Sequence, residues 1–234
     1  MYNVFVFCGG KCGGSTLTET FNKNNFNAVH LHGFNCPGFN NPTGVDLTNI
    51  FDILENSCKN YKNIYVIDSY RNPIERKVSS FFQNINIHLP NYKNLSIEEI
   101  IHFFNNELLN KIENYHSINN ILKHYKIPLF KTFDFEKGYN LCTQNNLIFI
   151  KILFKDIDNW NTILSKIFKK EIIIYPKNLT KDKENNKLYV EFKEKYRIPK
   201  KYIENVLSKD IEFQIYNTKQ QQDKYIKKWL AKSF

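Results

Sequence analysis

The chain has 234 residues, of which 42% are hydrophobic and 24% are charged. This length and composition exclude a disordered tail and a small protein whose stability depends on disulfides or metals. The net charge of +10 favours anionic partners such as phosphate, sulfate, nucleic acid or acidic glycans, without choosing among them.

The first part of the chain alternates predicted strands and helices. Runs of β-branched and aromatic residues predict strands at Tyr2–Phe7, Asn27–Leu31 and Asn63–Asp68. Helical spacing predicts a helix capped by Ser15 or Thr16, a second over Val45–Lys59 and a third from Pro73 to roughly Asn84. Gly33–Gly44 is rich in Gly, Pro and Asn and reads as a long loop of the kind that carries function.

The rest of the chain continues this pattern and then becomes helical. Further strands are predicted at Pro128–Phe133 and Leu147–Phe154. Further helices are predicted at Ile97–Leu109, Ile112–Tyr125, Ile157–Phe168, Lys187–Tyr196, Lys200–Leu207 and in a basic segment that runs through Trp229. The alternation predicts a three-layer α/β fold with a mainly parallel central sheet, flanking helices and a helical C-terminal part. With no internal repeat and no strong linker, residues 1–234 are predicted to form a single domain.

Cysteine usage and hydropathy indicate the cellular setting. The five cysteines include no CxxC pair, so we expect free thiols rather than a disulfide framework or a zinc site. No apolar run reaches the roughly 18 residues of a membrane-spanning helix. An apolar strand-like run begins directly after Met1, without the pattern of a signal peptide. These features predict a cytoplasmic protein without a membrane span.

A glycine-rich loop with a lysine, CGGKCGGSTL at Cys8–Leu17, joins the first predicted strand to the first helix. Glycines let the backbone approach an anion, and a helix N-terminus offers free N–H groups and a positive dipole end. The pattern indicates a phosphate site, with a structural turn as the alternative. A Walker A loop has its lysine directly before the Ser or Thr, whereas Lys11 lies four residues before Ser15. A P-loop kinase or NTPase is therefore disfavoured.

A second set of residues follows the predicted central strand. Arg71 lies at the carboxyl end of this strand, and Ser79 lies two turns into the next helix. Ligands of parallel sheets bind beyond the carboxyl ends of the strands. Arg71 can contact a phosphate through two parallel hydrogen bonds, and Ser79 can donate its hydroxyl. We therefore expect a second anion site, separate from the glycine-rich loop.

Taken together, KCGGST at Lys11–Thr16 and RNPIERKVS at Arg71–Ser79 resemble the paired signature of sulfotransferases that use 3′-phosphoadenosine 5′-phosphosulfate (PAPS). The resemblance implies a P-loop-like sulfotransferase fold, PAPS as the donor, 3′-phosphoadenosine 5′-phosphate (PAP) as the product, and no metal. It also implies that Lys11 contacts the leaving phosphate oxygen, and that Arg71 and Ser79 hold the 3′-phosphate. The implied donor-binding residues of the loop are Gly10, Lys11, Cys12, Gly13, Gly14, Ser15, Thr16 and Leu17.

Sulfation of an acceptor alcohol needs a general base, and two histidines stand at the end of the second predicted strand. Strand alternation puts His30 and His32 on one face. Carbohydrate sulfotransferases of the uronyl 2-O type have a similar pair at this place. We favour His32 as the base, with His30 as its orienting partner and Glu19 as the rival base. A structural histidine pair and a two-histidine metal site are alternatives, although no Asp, Glu or Cys stands beside them at ligand spacing.

A later motif concerns the acceptor. Asn186–Tyr189 (NKLY) resembles a group of sulfotransferase-like proteins of capsular polysaccharide synthesis. We therefore expect a hydroxyl-bearing acceptor, a glycan, and no nucleic acid polymer, since no stacking module accompanies the basic residues. The competing hypotheses are a catalytically inactive nucleotide- or polyanion-binding module of the same fold and a P-loop kinase. The identity of the acceptor and the oligomeric state are not encoded in any motif.

Overall fold

The computed structural model describes residues 2–36, 49–111, 117–177 and 185–234. They fall into two units. The first unit comprises residues 2–36, 49–71 and 117–177, and the second comprises 72–111 and 185–234. The interpretation of residues 1–234 as a single domain stays a prediction.

A five-stranded sheet forms the centre of the first unit. Its strands are β1 (Val4–Phe7), β2 (Ala28–Leu31), β3 (Ile64–Tyr70), β4 (Tyr139–Gln144) and β5 (Leu147–Leu153). Their order is β2-β1-β3-β5-β4, and all are parallel to their neighbours except β4, which is antiparallel to β5. The predicted α/β class with a mostly parallel sheet is confirmed.

Helices cover both faces of this sheet. They are α1 (Gly14–Lys23), α2 (Ile50–Cys58), α6 (Ile118–His124) and α7 (Trp160–Phe168). Val4 and Val6 pack with α1 and α7 on one face, whereas Phe5 and Phe7 pack with α2 and α6 on the other. Because side chains alternate along a strand, a continuous apolar run serves both faces.

The strand order creates a switch point beside β1. The chain passes from β1 to β2 on one side and then returns to β3 on the other side of β1. In doubly wound sheets of this order, ligands bind in the crevice outside the carboxyl ends of the strands at the switch. In this chain those carboxyl ends lead into the glycine-rich loop and into Arg71.

The second unit is helical in the part of the chain that the structure describes. Its helices are α3 (Pro73–Gln83), α4 (Ile85–His88), α5 (Ile97–Phe103), α8 (Asn186–Lys195), α9 (Lys200–Asn205), α10 (Ile211–Ile215) and α11 (Lys219–Leu230). Their core is rich in aromatic side chains, among them Phe81, Phe104, Phe192, Tyr196 and Trp229.

Some predicted elements need correction. Pro128–Phe133 is not a strand. The backbone N–H of Phe130 donates to the side chain of Asn119 (3.2 Å) and not to the backbone of a neighbouring strand. The edge strand β4 was not predicted from its mixed, half-exposed sequence. The helix predicted at Ile157–Phe168 begins as a 3-10 turn, Phe154–Asn159, and becomes α-helical at Trp160.

Other predicted elements lie partly outside the described residues. These are Gly33–Gly44 from residue 37 onwards, the first four positions of Val45–Lys59, and 112–116 of the helix predicted at Ile112–Tyr125. In the described ranges, no helix combines the length and apolar character needed to cross a membrane. All five cysteines are free thiols.

Candidate functional site

The glycine-rich loop leads from β1 directly into the N-terminus of α1. Gly13 is the N-cap, with a left-handed φ of 87° and no side-chain cap. Leu17 is the first residue whose N–H bonds within the helix, to Gly13 O at 3.0 Å. The N–H groups of residues 14–16 have no intrahelical acceptor and are suited to an anion. The predicted capping by Ser15 or Thr16 is wrong, because the left-handed Gly13 lets the helix begin earlier.

Two glycines of this loop are required by close contacts. A Cβ on Gly13 would lie 2.6 Å from Cη2 of Trp160, at a φ that L side chains rarely adopt. A Cβ on Gly14 would lie 2.1 Å from Nε2 of His30. Gly10, in contrast, has open space around its Cβ position. The helix N-terminus therefore lies directly against His30, and only glycine at position 14 allows this approach.

The remaining loop residues differ in what they offer a ligand. Lys11 is half-buried and has a left-handed φ of 69°. Cys12 is buried and donates its thiol to Gly10 O (3.7 Å). Leu17 is fully buried among the apolar residues under α1. The side chains of Cys12 and Leu17 therefore support the loop from inside the fold, whereas Gly10 is exposed and Lys11 and Ser15 are partly exposed.

Arg71 lies at the carboxyl end of β3 and is joined to the loop. One guanidinium nitrogen donates to Lys11 O at 2.9 Å, and the guanidinium lies 4.6 Å from the ring centroid of Phe154. These contacts hold the left-handed Lys11 in place. A guanidinium has five N–H donors, so most of them remain for an anion. The two anion-binding elements predicted in the first unit thus meet at the switch point.

His30 in β2 and His32, directly after β2, were predicted to share one face, and their rings are in contact. Their ring centroids are 4.1 Å apart. Nε2 of His30 lies 3.7 Å from Sγ of Cys8. Burial, helped by the neighbouring His32, lowers the pKa of His30 to about 4, and burial raises the pKa of the Cys8 thiol. His30 is therefore neutral at pH 7 and packed against Gly14 and Cys8, whereas His32 is exposed.

The pKa of His30 makes stability depend on pH. An imidazole in the unfolded chain takes up its proton near pH 6.5, whereas folded His30 resists protonation down to about pH 4. Wild-type stability should therefore fall as the pH drops through this window. His30→Gln should remove roughly 3 kcal/mol of this loss. Urea unfolding of wild type and variant at several pH values measures how the free energy of unfolding depends on pH. His88→Gln, at an exposed histidine, is the control, and equal slopes in both variants would contradict the assignment.

The extended segment at residues 175–177 packs along one side of α1. The hydroxyl of Thr16 donates to Lys177 O and accepts the N–H of Lys177, both at 3.2 Å. One turn further on, the hydroxyl of Thr20 accepts the N–H of Tyr175 (3.0 Å). Residues four apart on a helix and alternate residues of an extended chain have the same spacing of about 6 to 7 Å. Thr16 and Thr20 can therefore bind alternate residues of the extended segment. The Thr16 hydroxyl is thus engaged by Lys177, which leaves the backbone N–H of Thr16 as the group that could bind an anion at the helix start.

Glu19, the rival base, forms an ion pair with Lys177 (2.8 Å). The hydrogen bond and charge of Lys177 lower the pKa of Glu19. A carboxylate that is held ionised in this way is a weak proton acceptor. The ion pair with Lys177 therefore makes Glu19 a poor candidate for the general base.

Ser79 belongs to the second unit, where it is buried in α3 with 6% of its surface exposed. Its joint action with Arg71 on one phosphate stays a prediction. Across the described residues, no three His, Cys, Asp or Glu side chains are grouped so that they could hold a metal ion.

Several contacts of the site were not predicted from the sequence. Phe154 and Trp160 enclose Gly13 and the Arg71 guanidinium, and Lys177 binds Thr16 and Glu19. They come from positions far along the chain, and no local motif marks them. Comparison with known proteins finds no matching family model, no matching curated protein and no matching solved structure.

Proposed function

We propose that this chain transfers a sulfuryl group from PAPS to a hydroxyl of a carbohydrate acceptor. The observation that carries the proposal is the 2.9 Å hydrogen bond from Arg71 to Lys11 O. It joins a helix N-terminus with a lysine to an arginine at the topological switch point, where ligands of such sheets bind.

The donor has two separated anionic groups, and the site offers complementary groups to them. The N-terminus of α1 and Lys11 suit the phosphosulfate, since N–H groups and a mobile cation both stabilise its oxygens. The remaining donors of Arg71 suit the 3′-phosphate. Ser79 is added to this second group by the resemblance to PAPS-dependent sulfotransferases. The proposed fold is the P-loop-like fold of that family.

The proposed sulfuryl transfer uses the N-terminus of α1, Lys11 and the two histidines. The acceptor oxygen attacks the sulfur, the bond from sulfur to the bridging phosphate oxygen breaks, and PAP leaves with the bonding electron pair. Lys11 and the N–H groups of α1 stabilise the charge that builds on that oxygen. The proton of the acceptor hydroxyl goes to His32, which is exposed, while the ring of His30 contacts and positions the His32 ring.

Titration with PAP and with ADP by calorimetry tests the proposal. These nucleotides differ in where the second phosphate stands, so a site built for PAPS should bind PAP roughly ten- to a hundredfold more tightly. Preference for ADP would support a kinase-like site and overturn the proposal, as would a failure to bind either nucleotide. Binding of PAP without sulfation of any saccharide in a panel would indicate the catalytically inactive module.

Matched variants connect this binding to the loop. Gly14→Ala should abolish PAP binding, since its Cβ displaces His30 from the helix N-terminus. Lys23→Ala, at the exposed C-terminal end of the same helix, should leave it unchanged. Arg71→Gln should reduce the preference for PAP over ADP. Equal affinities in all three variants would place nucleotide binding elsewhere.

A further inference from the structure

The helical second unit contains a small pocket between α3, α8 and α11. Its volume is about 160 Å³, and its apolar lining comes from Val78, Tyr189, Phe192, Tyr196 and Trp229. An apolar cavity of about 150 Å³ accommodates benzene in a well-studied protein. The pocket therefore has the size and the lining for a single aromatic ring, which would pack against aromatic side chains.

The polar residues of the pocket are mainly lysines. Lys228 is paired with Glu75 at 3.0 Å, so their charges offset each other. Lys193 and Lys232 also line the pocket, and Lys232 Nζ donates to the backbone oxygen of Lys193 (3.0 Å). Within the described ranges, no carboxylate pairs with either of these two lysines. The pocket thus carries positive charge and favours an anion.

The Trp229 indole contributes its ring, and not its N–H, to the pocket. Its side chain is 6% exposed, and its Nε1 is buried without an acceptor among the described residues. The other tryptophan, Trp160, donates to Leu153 O at 3.0 Å. Tyr196, beside Trp229, donates to Asn105 at 2.9 Å. Because Nε1 has almost no accessible surface, a ligand in the pocket would contact the ring of Trp229 and not its N–H.

We propose that this pocket binds a single-ring aromatic anion, with its ring against Val78, Tyr189 and Trp229 and its acid group at Lys193 and Lys232. The ligand class is that of aryl carboxylates, sulfates and phosphates, which combine an apolar ring with an oxygen-bearing charge. The binding site lies in the second unit and goes beyond the proposed sulfuryl transfer, so failure of either proposal leaves the other testable.

Fluorine NMR line broadening of 4-fluorobenzoate measures binding to the full chain. The neutral 4-fluorobenzyl alcohol has the same ring without the charge, and we expect it to bind roughly fivefold or more weakly. Lys193→Gln and Lys232→Gln should each raise the Kd about three- to tenfold. Trp229→Phe keeps an aromatic ring and removes only an N–H that a ligand in the pocket does not reach, so it should change the Kd by less than about twofold.

Lys227→Gln is the matched control, because Lys227 is exposed on the same helix and does not line the pocket. It should leave the Kd unchanged, as should Lys11→Gln in the glycine-rich loop. Absence of saturable broadening at millimolar concentrations would overturn the proposal. So would equal affinities for the acid and the alcohol, or a loss of binding in Lys11→Gln alone.

Discussion

Replacement of Lys151 with methionine should lower the free energy of unfolding by about 3–5 kcal/mol. Lys151 and Asp68 face each other in neighbouring strands β5 and β3, form an ion pair at 2.6 Å, and have fully buried side chains. Asp68 also accepts the N–H of Ile118 at the start of α6. Without Lys151, the carboxylate would be left as a buried charge with insufficient compensation, and such charges are strongly destabilising.

Urea unfolding of wild type and variant measures this effect. Lys166→Met is the matched control, since Lys166 is exposed on α7 and its replacement should change stability by less than about 0.5 kcal/mol. The double variant Asp68→Asn/Lys151→Met should recover part of the loss because no buried charge remains. A loss below about 1 kcal/mol in the single variant would contradict the importance of this pair.

The parts of the fold that were predictable are those with strong local signals. β1, β3 and β5 are runs of β-branched and aromatic residues, and α3 begins at Pro73, so their positions could be read to within a few residues. β4 has a weaker pattern because it is an edge strand with alternating exposure. β4 is positioned by the turn at Asn145, whose φ is left-handed, and by its antiparallel hydrogen bonds with β5.

The candidate site shows the same division between local and distant information. Local patterns located the glycine-rich loop and Arg71, because each comes after a predicted strand. They also located the two histidines, because these stand at the end of a predicted strand. The hydrogen bond between Arg71 and Lys11 O joins residues 60 positions apart, and that between Thr16 and Lys177 joins residues 161 apart. Such contacts depend on strand order and on the path of the returning segment, which local patterns do not specify.

If the proposed sulfuryl transfer is correct, His32→Ala should lower its kcat by roughly 10²- to 10⁴-fold, the range typical for loss of a general base. A base is most effective when its pKa is near the working pH. The pKa of His30, about 4, makes it a weak base, and its position between Gly14 and Cys8 leaves it the role of a positioning residue. His30→Gln should therefore cost less in kcat than His32→Ala.

Chemical rescue separates the two histidines. His32 is exposed, so free imidazole should enter the space left in His32→Ala and restore part of the rate. His30 is largely buried, so imidazole should not rescue His30→Ala. Transfer of labelled sulfate from PAPS to a saccharide panel provides the assay. If His32→Ala retained its rate while Glu19→Gln lost it, the base would be Glu19. Such a result would also require the ion pair with Lys177 to open before the acceptor proton is transferred.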